Sequence, residues 1–319
     1  MSDVVLVTGG AGFIGSHLCE ALLARGRRVR VLDDFSSGNA ANLAQIWNGI
    51  EIVEGSLESP SAIAHAMKGV SMVAHLAARS SVAESMAAED LYRRVNVGGT
   101  AALIAEAQRV GVARIVFAAS SSAYGDHDAP HDESMEPRPM SPYGATKVEC
   151  ERMLRSLAQE PGAPDTASLR FFNVYGARQD PNNAYAAVIP RFMTRIAAGL
   201  PATIFGDGEQ TRDFVHVSDA ARAVIAAMDA PAPIRGAVIN VGTGHATSIR
   251  VLAETIGRVV GKPVQLDFQP ARAGEIRHSV ATVSRARDVL GFTAAVELQV
   301  GLGMMAVPGT NRAPTAKVP

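Results

Sequence analysis

Short apolar runs alternate with amphipathic stretches along the chain, the pattern of parallel strands joined by covering helices. The runs at 4–8 (VVLVT), 29–33 (VRVLD), 50–53 (IEIV), 72–76 (MVAHL), 114–119 (RIVFAA), 167–172 (ASLRFF) and 237–241 (AVINV) read as strands. Between them 16–25, 61–67, 91–110 and 143–159 read as helices, with Gly26 and Gly111 where helices stop. The expectation is an α/β protein with a doubly wound parallel sheet. After about residue 173 the rhythm loosens into loops rich in Gly and Pro, which predicts a smaller α/β domain built on the first. The division expected is 1–172 with returning segments near 214–245, against 173–213 and 246–303. The stretch 304–319 reads as a flexible tail, because 307–319 (VPGTNRAPTAKVP) holds three prolines and little to bury.

Gly9, Gly12 and Gly15, in TGGAGFIG, lie between the first strand and the first helix. Glycine suits a tight turn whose backbone must approach a pyrophosphate at a helix N-terminus, where free N–H groups and the helix dipole favour negative charge. Asp33 ends the next strand 18 residues after Gly15, where a carboxylate accepts from ribose hydroxyls. The sheet is therefore expected to be a Rossmann fold binding a dinucleotide. A carboxylate there repels a 2′-phosphate and no arginine follows it directly, so NAD is favoured over NADP.

Tyr143 and Lys147, in SPYGATKVE, stand four residues apart near the start of an expected helix, on one face of it. An ammonium close to a phenol favours the phenolate and lowers its pKa, which would make the tyrosine a base. Ser120 ends a strand between the two motifs.

Composition narrows the classes further. Lys plus Arg (30) against Asp plus Glu (31) gives a net charge of −1, so no overall field attracts nucleic acid or anionic membrane. The chain opens Met-Ser-Asp and enters a strand with no basic leader, no cleavage site and no apolar run near the roughly 18 residues that span a bilayer. It is expected to be cytoplasmic. Cys19 and Cys150 are too few for a metal cluster or disulfide framework and read as packing residues, so no metal is expected. Apolar residues on more than one face of 91–110 (Leu103, Ile104, Val110) and 143–159 (Met153, Leu154, Leu157) suggest a homodimer.

TGGAGFIG, HLAA (75–78), NVGGT (96–100), AASSSAYG (118–125), YGATK (143–147), RFFNVYG (170–176), GDGEQTRDFVHV (206–217) and RAGEIRHS (272–279) occur together. With these motifs the chain resembles an extended short-chain dehydrogenase/reductase of the nucleotide-sugar epimerase/dehydratase type, from residue 3 to about 303. The resemblance implies an NAD-dependent enzyme in which Tyr143 is the base and Lys147 binds the nicotinamide ribose. Ser120, four residues before the tyrosine of the Tyr124-Gly125 pair, bonds the reacting sugar hydroxyl, and Ser121 and Ser122 adjoin it. It further implies NAD contacts from Gly9, Gly12, Phe13, Ile14, Gly15, Asp33, Ser36, Ser37, Gly38, Ser56, Leu57, Leu76, Ala77, Ala78 and Asn96. A UDP-sugar would meet Asn173, Val188 and the cations Arg212 and Arg272, with Glu275 on the uridine ribose.

Dehydratases of this kind place Asp-Glu after the catalytic hydroxyl, whereas this chain has Ser121 and Ser122. The resemblance therefore favours 4-epimerisation, in which hydride leaves C4 and returns to its other face through a transient 4-keto sugar. Ser279 occupies the position that faces the sugar's 2-substituent, and a small residue there admits an N-acetyl group. The chain thus looks most like UDP-N-acetylglucosamine 4-epimerases that also take UDP-glucose. UDP-glucuronate 4-epimerases are the nearer alternative and a catalytically silent NAD(H)-binding regulator the remote one. His75 and His216 read as hydrogen-bonded structural residues, and the ending GLGMM places the last helix in doubt.

Overall fold

The computed structural model describes residues 4–179, 188–271, 274 and 276–306. Its main sheet has seven parallel strands. These are β1 (Val4–Thr8), β2 (Arg28–Asp33), β3 (Ile50–Glu54), β4 (Val70–His75), β5 (Arg114–Ser120), β6 (Asp165–Phe171) and β11 (Ala237–Val241). They lie in the order β11-β6-β5-β4-β1-β2-β3. The order reverses between β1 and β4, and in such sheets ligands bind outside the carboxyl ends of the strands at that point. All five residues of β1 are buried. Its apolar run is continuous rather than alternating because helices cover both faces.

On one face the core joins β1, α1 (Phe13–Leu23) and α8 (Val217–Asp229), with Leu18 and Leu22 packed among Ala220, Val224 and Met228. On the other face α2 (Pro60–Ala66), α5 (Gly99–Val110) and α6 (Pro142–Leu157) enclose Leu6, Val73, Leu103 and Leu154. A third core gathers α7 (Val188–Ala197), β8 (Ala202–Phe205), β10 (Phe214–His216), α9 (Ile249–Val260) and α11 (Leu298–Ala306). The remaining strands are short: β7 (Asn173–Tyr175) pairs β10, β9 (Thr211–Arg212) lies between β12 (Thr247–Ser248) and β14 (His278–Ser279), and β13 (Leu266–Gln269) pairs β8.

Two expectations change. The helix expected over 91–110 is interrupted: α3 (Val82–Ala87) and α4 (Glu89–Tyr92) lead into a π-helical stretch, Arg93–Gly98, before α5 begins. That stretch turns Asn96 inward, and a β-carbon on Gly99 would stand 2.6 Å from Leu57. Of the residues that suggested a homodimer, Leu103, Leu154 and Leu157 are core residues, while Ile104, Val110 and Met153 are partly buried. Residues 304–306 belong to α11 rather than to a tail, because Leu302 and Met305 are buried and a side chain at Gly301 would run into the Tyr175 hydroxyl. Residues 307–319 lie outside the described ones.

Candidate functional site at the carboxyl edge of the sheet

The glycine turn is built on contact rather than on flexibility alone. Gly9 has φ +70°, and its β-carbon would lie 2.8 Å from the Ala77 backbone. A β-carbon on Gly15 would overlap the Gly9 carbonyl oxygen, which already accepts from Gly12 N–H at 3.1 Å. Helix α1 then starts from Gly12 with no side-chain cap and no acidic residue in its first turn. Those are the conditions for an anion at the N-terminus. Phe13 packs edge-on to His17, and Ile14 sits partly buried against the first core. His17 bonds the Ala177 carbonyl at 3.0 Å and Glu20 pairs with Arg178, so α1 is fastened to the loop after β7.

Asp33 closes β2 beside this turn. Its carboxylate accepts from Ala11 N–H and Phe35 N–H, both at 2.9 Å, and a β-carbon on Gly38 would crowd it at 2.9 Å. Burial pushes its carboxyl pKa up, and the two N–H donors hold it down. Two N–H donors leave lone pairs for the hydroxyls of a ribose. Ser36 and Ser37 are exposed on the following loop. After β3, Gly55 N–H bonds Asp33 O, Ser56 Oγ accepts from Glu58 N–H, and the Leu57 side chain is buried in the second core. Leu57 can therefore offer a ligand only its backbone.

The HLAA segment is pinned to the glycine turn by residues that sequence reasoning missed. Thr8 Oγ1 accepts from Leu76 N–H (3.2 Å) and Ala77 N–H (3.1 Å) and meets His75 Nδ1 at 2.8 Å. Thr100 Oγ1 donates to Asn96 O at 2.6 Å and meets His75 Nε2 at 2.9 Å. Thr100 must then accept from Nε2–H, which leaves Nδ1 to accept from Thr8. His75 is neutral: burial, with Lys147 adding to it, pushes its pKa down to about 3. The sequence signal for this link was a threonine at the end of the first strand and another in NVGGT. Ala78 continues the segment. Asn96 is held firmly within the fold. Both its amide donors are used within the fold, to Arg79 O and Thr146 Oγ1, and its oxygen accepts from Arg79 N–H.

Ser120, Tyr143 and Lys147 converge at the end of β5. Ser141 caps α6 by accepting from Gly144 N–H at 3.1 Å, and Pro142 stands in its first turn, which starts the helix directly before Tyr143. Ser120 Oγ accepts from Ser122 N–H (3.2 Å) and Ser122 Oγ–H (2.9 Å), leaving its own proton for the Tyr143 oxygen. Ser121 follows in a short 3-10 turn, Ser121–Ala123. Lys147, 3% exposed, donates to the Ala118 carbonyl at 2.7 Å and lies 4.6 Å over the Phe117 ring. Burial lowers its pKa to about 8, opposed by Cys150 and Glu151. The tyrosine departs from expectation. Burial pushes its phenol up and the Ser120 hydrogen bond pulls it down, while the ammonium is 5.9 Å from the ring centre and tied to Ala118.

A cavity of about 220 Å³ lies across the cleft, and Asn173, Val188 and Arg212 all line it. Arg191, Gln210, Phe205 and Phe192 also line it, and none of them was singled out from the sequence. Ser279 is buried and in parallel register with Arg212. Asp213 holds these strands together. Its N–H donates to Ser279 O and its carbonyl accepts from Asn173 N–H, while its fully buried carboxylate accepts from Thr243, Gly244 and Ala281. His216 starts α8 with Nδ1 against Ser218 Oγ at 2.8 Å. Arg272 and Glu275 lie outside the described residues.

The sequence pattern of the NAD dependent epimerase/dehydratase family matches residues 5–242. The chain belongs to that family. Over 307 residues this epimerase/dehydratase is 40% identical to a UDP-glucose 4-epimerase of Mycolicibacterium smegmatis, covering 93% of this chain and 95% of the relative. Its structure is similar to the UDP-glucose 4-epimerase of Thermotoga maritima with UDP-glucose, at TM-score 0.89 and 35% identity over 95% of this chain and 97% of that one. It is equally similar to the UDP-N-acetylglucosamine 4-epimerase of Methanobrevibacter ruminantium in complex with UDP-N-acetylmuramic acid, at TM-score 0.90 and 35% identity over 96% and 98%. The family resemblance, the doubly wound α/β fold, the enzymatic class and NAD as cofactor are thereby borne out. The uncapped α1 and the Gly15 cradle, which a β-carbon would fill, fit the pyrophosphate of that cofactor. Among the described residues no helix of this epimerase/dehydratase is long and apolar enough to cross a membrane.

Proposed function

We propose that this protein is a 4-epimerase of UDP-hexoses that accepts UDP-N-acetylglucosamine and UDP-N-acetylgalactosamine as well as UDP-glucose and UDP-galactose. The observation that carries the reading is the arrangement of Ser120, Tyr143 and Lys147 at the end of β5, with serines rather than an acidic pair after Ser120. Elimination of water needs a further acid and base, and inversion does not. The names of the relatives, UDP-glucose and UDP-N-acetylglucosamine 4-epimerases, support the same class.

In this reading Arg212 neutralises the diphosphate and Asn173 fixes its position, which holds C4 of the sugar near the sheet edge. Ser120, held as an acceptor by Ser122, presents its proton to the sugar's O4 or to Tyr143. Tyr143 takes the O4 proton and later returns it. Lys147 holds the nicotinamide ribose and keeps positive charge beneath the phenolate. When bound, NAD supplies the reversible two-electron oxidation at C4 that lets the centre invert with no net redox change. Inversion follows when the transient 4-keto sugar turns so that hydride returns to the opposite face of C4.

The purified protein incubated separately with UDP-glucose, UDP-N-acetylglucosamine and UDP-glucuronate, read by sugar NMR, should convert the first two to their C4 epimers. The near-ultraviolet absorbance of NADH should stay level during turnover. Steady accumulation of NADH in step with substrate would point to a dehydrogenase, and conversion of the glucuronate alone would reassign the substrate.

The acetamido preference rests on Ser279, buried and in register with Arg212. Ser279→Tyr fills space beside the sugar, and overpacking costs about 1–3 kcal/mol, roughly tenfold to a hundredfold in rate. We expect kcat/KM for UDP-N-acetylglucosamine to drop on that scale while UDP-glucose changes only a few-fold. Equal losses on both sugars would remove the gate.

A further inference from the structure

Tyr143, Lys147 and Glu151 follow one another at four-residue steps on one face of α6. Glu151 plays no part in the chemistry above, yet it is buried and holds Arg170 of β6 in a fork, with bonds of 2.9 Å to Nε and 2.7 Å to Nη2. The two side chains are 4% and 3% exposed. Arg170 stands in register with Ala119, one residue before Ser120, and Lys147 bonds the carbonyl of Ala118, one residue earlier still. The Arg170 guanidinium also lies 4.5 Å over the Tyr124 ring. Tyr124 closes the turn that begins at Ser120, donating its N–H to Ser121 O, and its hydroxyl donates to Asn240 Oδ1 of β11 at 2.6 Å.

Stability is a poor explanation for such a pair. Removing two charges from water offsets most of their attraction, and well-packed apolar replacements of buried pairs are often neutral or stabilising. What a forked, fully desolvated pair does supply is direction, because guanidinium and carboxylate meet in few geometries. Here one prong of the geometry belongs to the helix carrying Tyr143 and Lys147, and the other to the strand beside Ser120.

We propose that Glu151 and Arg170 are positioning residues for the reaction, setting the axial and rotational register of α6 so that Tyr143 and Lys147 meet the Ser120 turn. The inference rests on the proposed roles of Tyr143 and Lys147. Both side chains are buried within the fold, so the pair acts through α6 and β6. The carboxylate has a second effect, since it opposes the burial that pushes the Lys147 ammonium down.

The test is the double variant Glu151→Met/Arg170→Met, which removes both charges and keeps the volume filled. It should fold with wild-type Tm and NAD content. Its kcat should fall about tenfold or more while KM for the UDP-sugar stays within about threefold, since a displacement near 1 Å can cost that much in rate without loss of binding. A merely structural pair predicts wild-type kcat once folding is restored, and that result overturns the proposal. Should the double variant not fold, Arg170→Lys keeps the charge and loses the fork. A kcat about fivefold or more lower at unchanged KM supports positioning, and unchanged kcat refutes it. Tyr143→Phe is run beside them: full activity in that variant would sink the reading of the site itself, whereas an inactive Tyr143→Phe with an unimpaired double variant would sink only this inference.

Discussion

Tyr143→Phe should lower turnover by about 10² to 10⁴ while the protein keeps its bound NAD. The substitution removes one oxygen, and the ring's other contacts survive it. Tyr92 meets the Tyr143 ring edge-on at 6.5 Å, and Lys147 remains held by Ala118. The loss should therefore fall on kcat, with KM for the UDP-sugar little changed. Lys147→Ala should behave differently, reducing NAD content as well as rate, because in the proposed mechanism its ammonium serves the ribose and the phenol together. A Tyr143→Phe enzyme retaining more than about a tenth of wild-type rate would exclude the tyrosine as the proton acceptor, since general acid–base groups are worth more than that. Burial pushes the Tyr143 phenol up rather than down in the protein by itself.

Gly15→Ala should abolish stable NAD binding, an effect larger than its single methyl group suggests. The added carbon would overlap the Gly9 carbonyl and lie 2.9 Å from Gly10 Cα, and both are backbone atoms that no rotamer change can move aside. Opening the turn displaces the start of α1 and the backbone approach that a pyrophosphate needs. Overpacking of this kind costs about 1 to 3 kcal/mol in stability, and the cofactor site lies at the centre of the disturbance. Gly98→Ala is the matched control. Open space surrounds that position within a helical stretch, so the variant should be neutral or slightly more stable with full NAD content. NAD released on denaturation, measured per protein chain, checks both. Equal NAD content in the two variants would refute the close-approach argument.

Most of the main strands were legible as short apolar runs buried on both faces, which leaves no alternation to misread, and the edge strand β3 was legible from Ile50 and Ile52 alternating with exposed Glu51. Errors sat at boundaries, such as β4, which runs over Val70–His75 rather than 72–76. The π-helical stretch before α5 was not legible, since the contacts that accompany it, of Asn96 with Arg79 and Thr146, join residues 17 and 50 positions apart. The two-residue strands β9, β12 and β14 were hidden for the same reason: pairing across 35 or more positions leaves no local pattern. Gly301 and the neighbouring methionines masked α11, whose helix owes its place to close packing on Tyr175. Within the candidate site the residues of motifs were legible. Thr8, Thr100, Arg191 and Asp213 were not singled out, because each acts through partners brought close only by folding.

The late return of the chain to its first sheet limits how the protein can be cut. Strand β11 completes the sheet beside β6, and Ala220, Val224 and Met228 of α8 fill the core that Leu18 and Leu22 of α1 enter. A fragment ending near residue 172 would carry every glycine of the nucleotide turn and still present the inner face of α1 to water, so it should aggregate rather than bind. The nucleotide half is thus not a portable module, and a split reporter or inserted tag has to respect both passes of the chain. The turn at Gly162, with φ +76° and open space around it, joins α6 to β6 on the surface and is the place where an insertion would disturb neither.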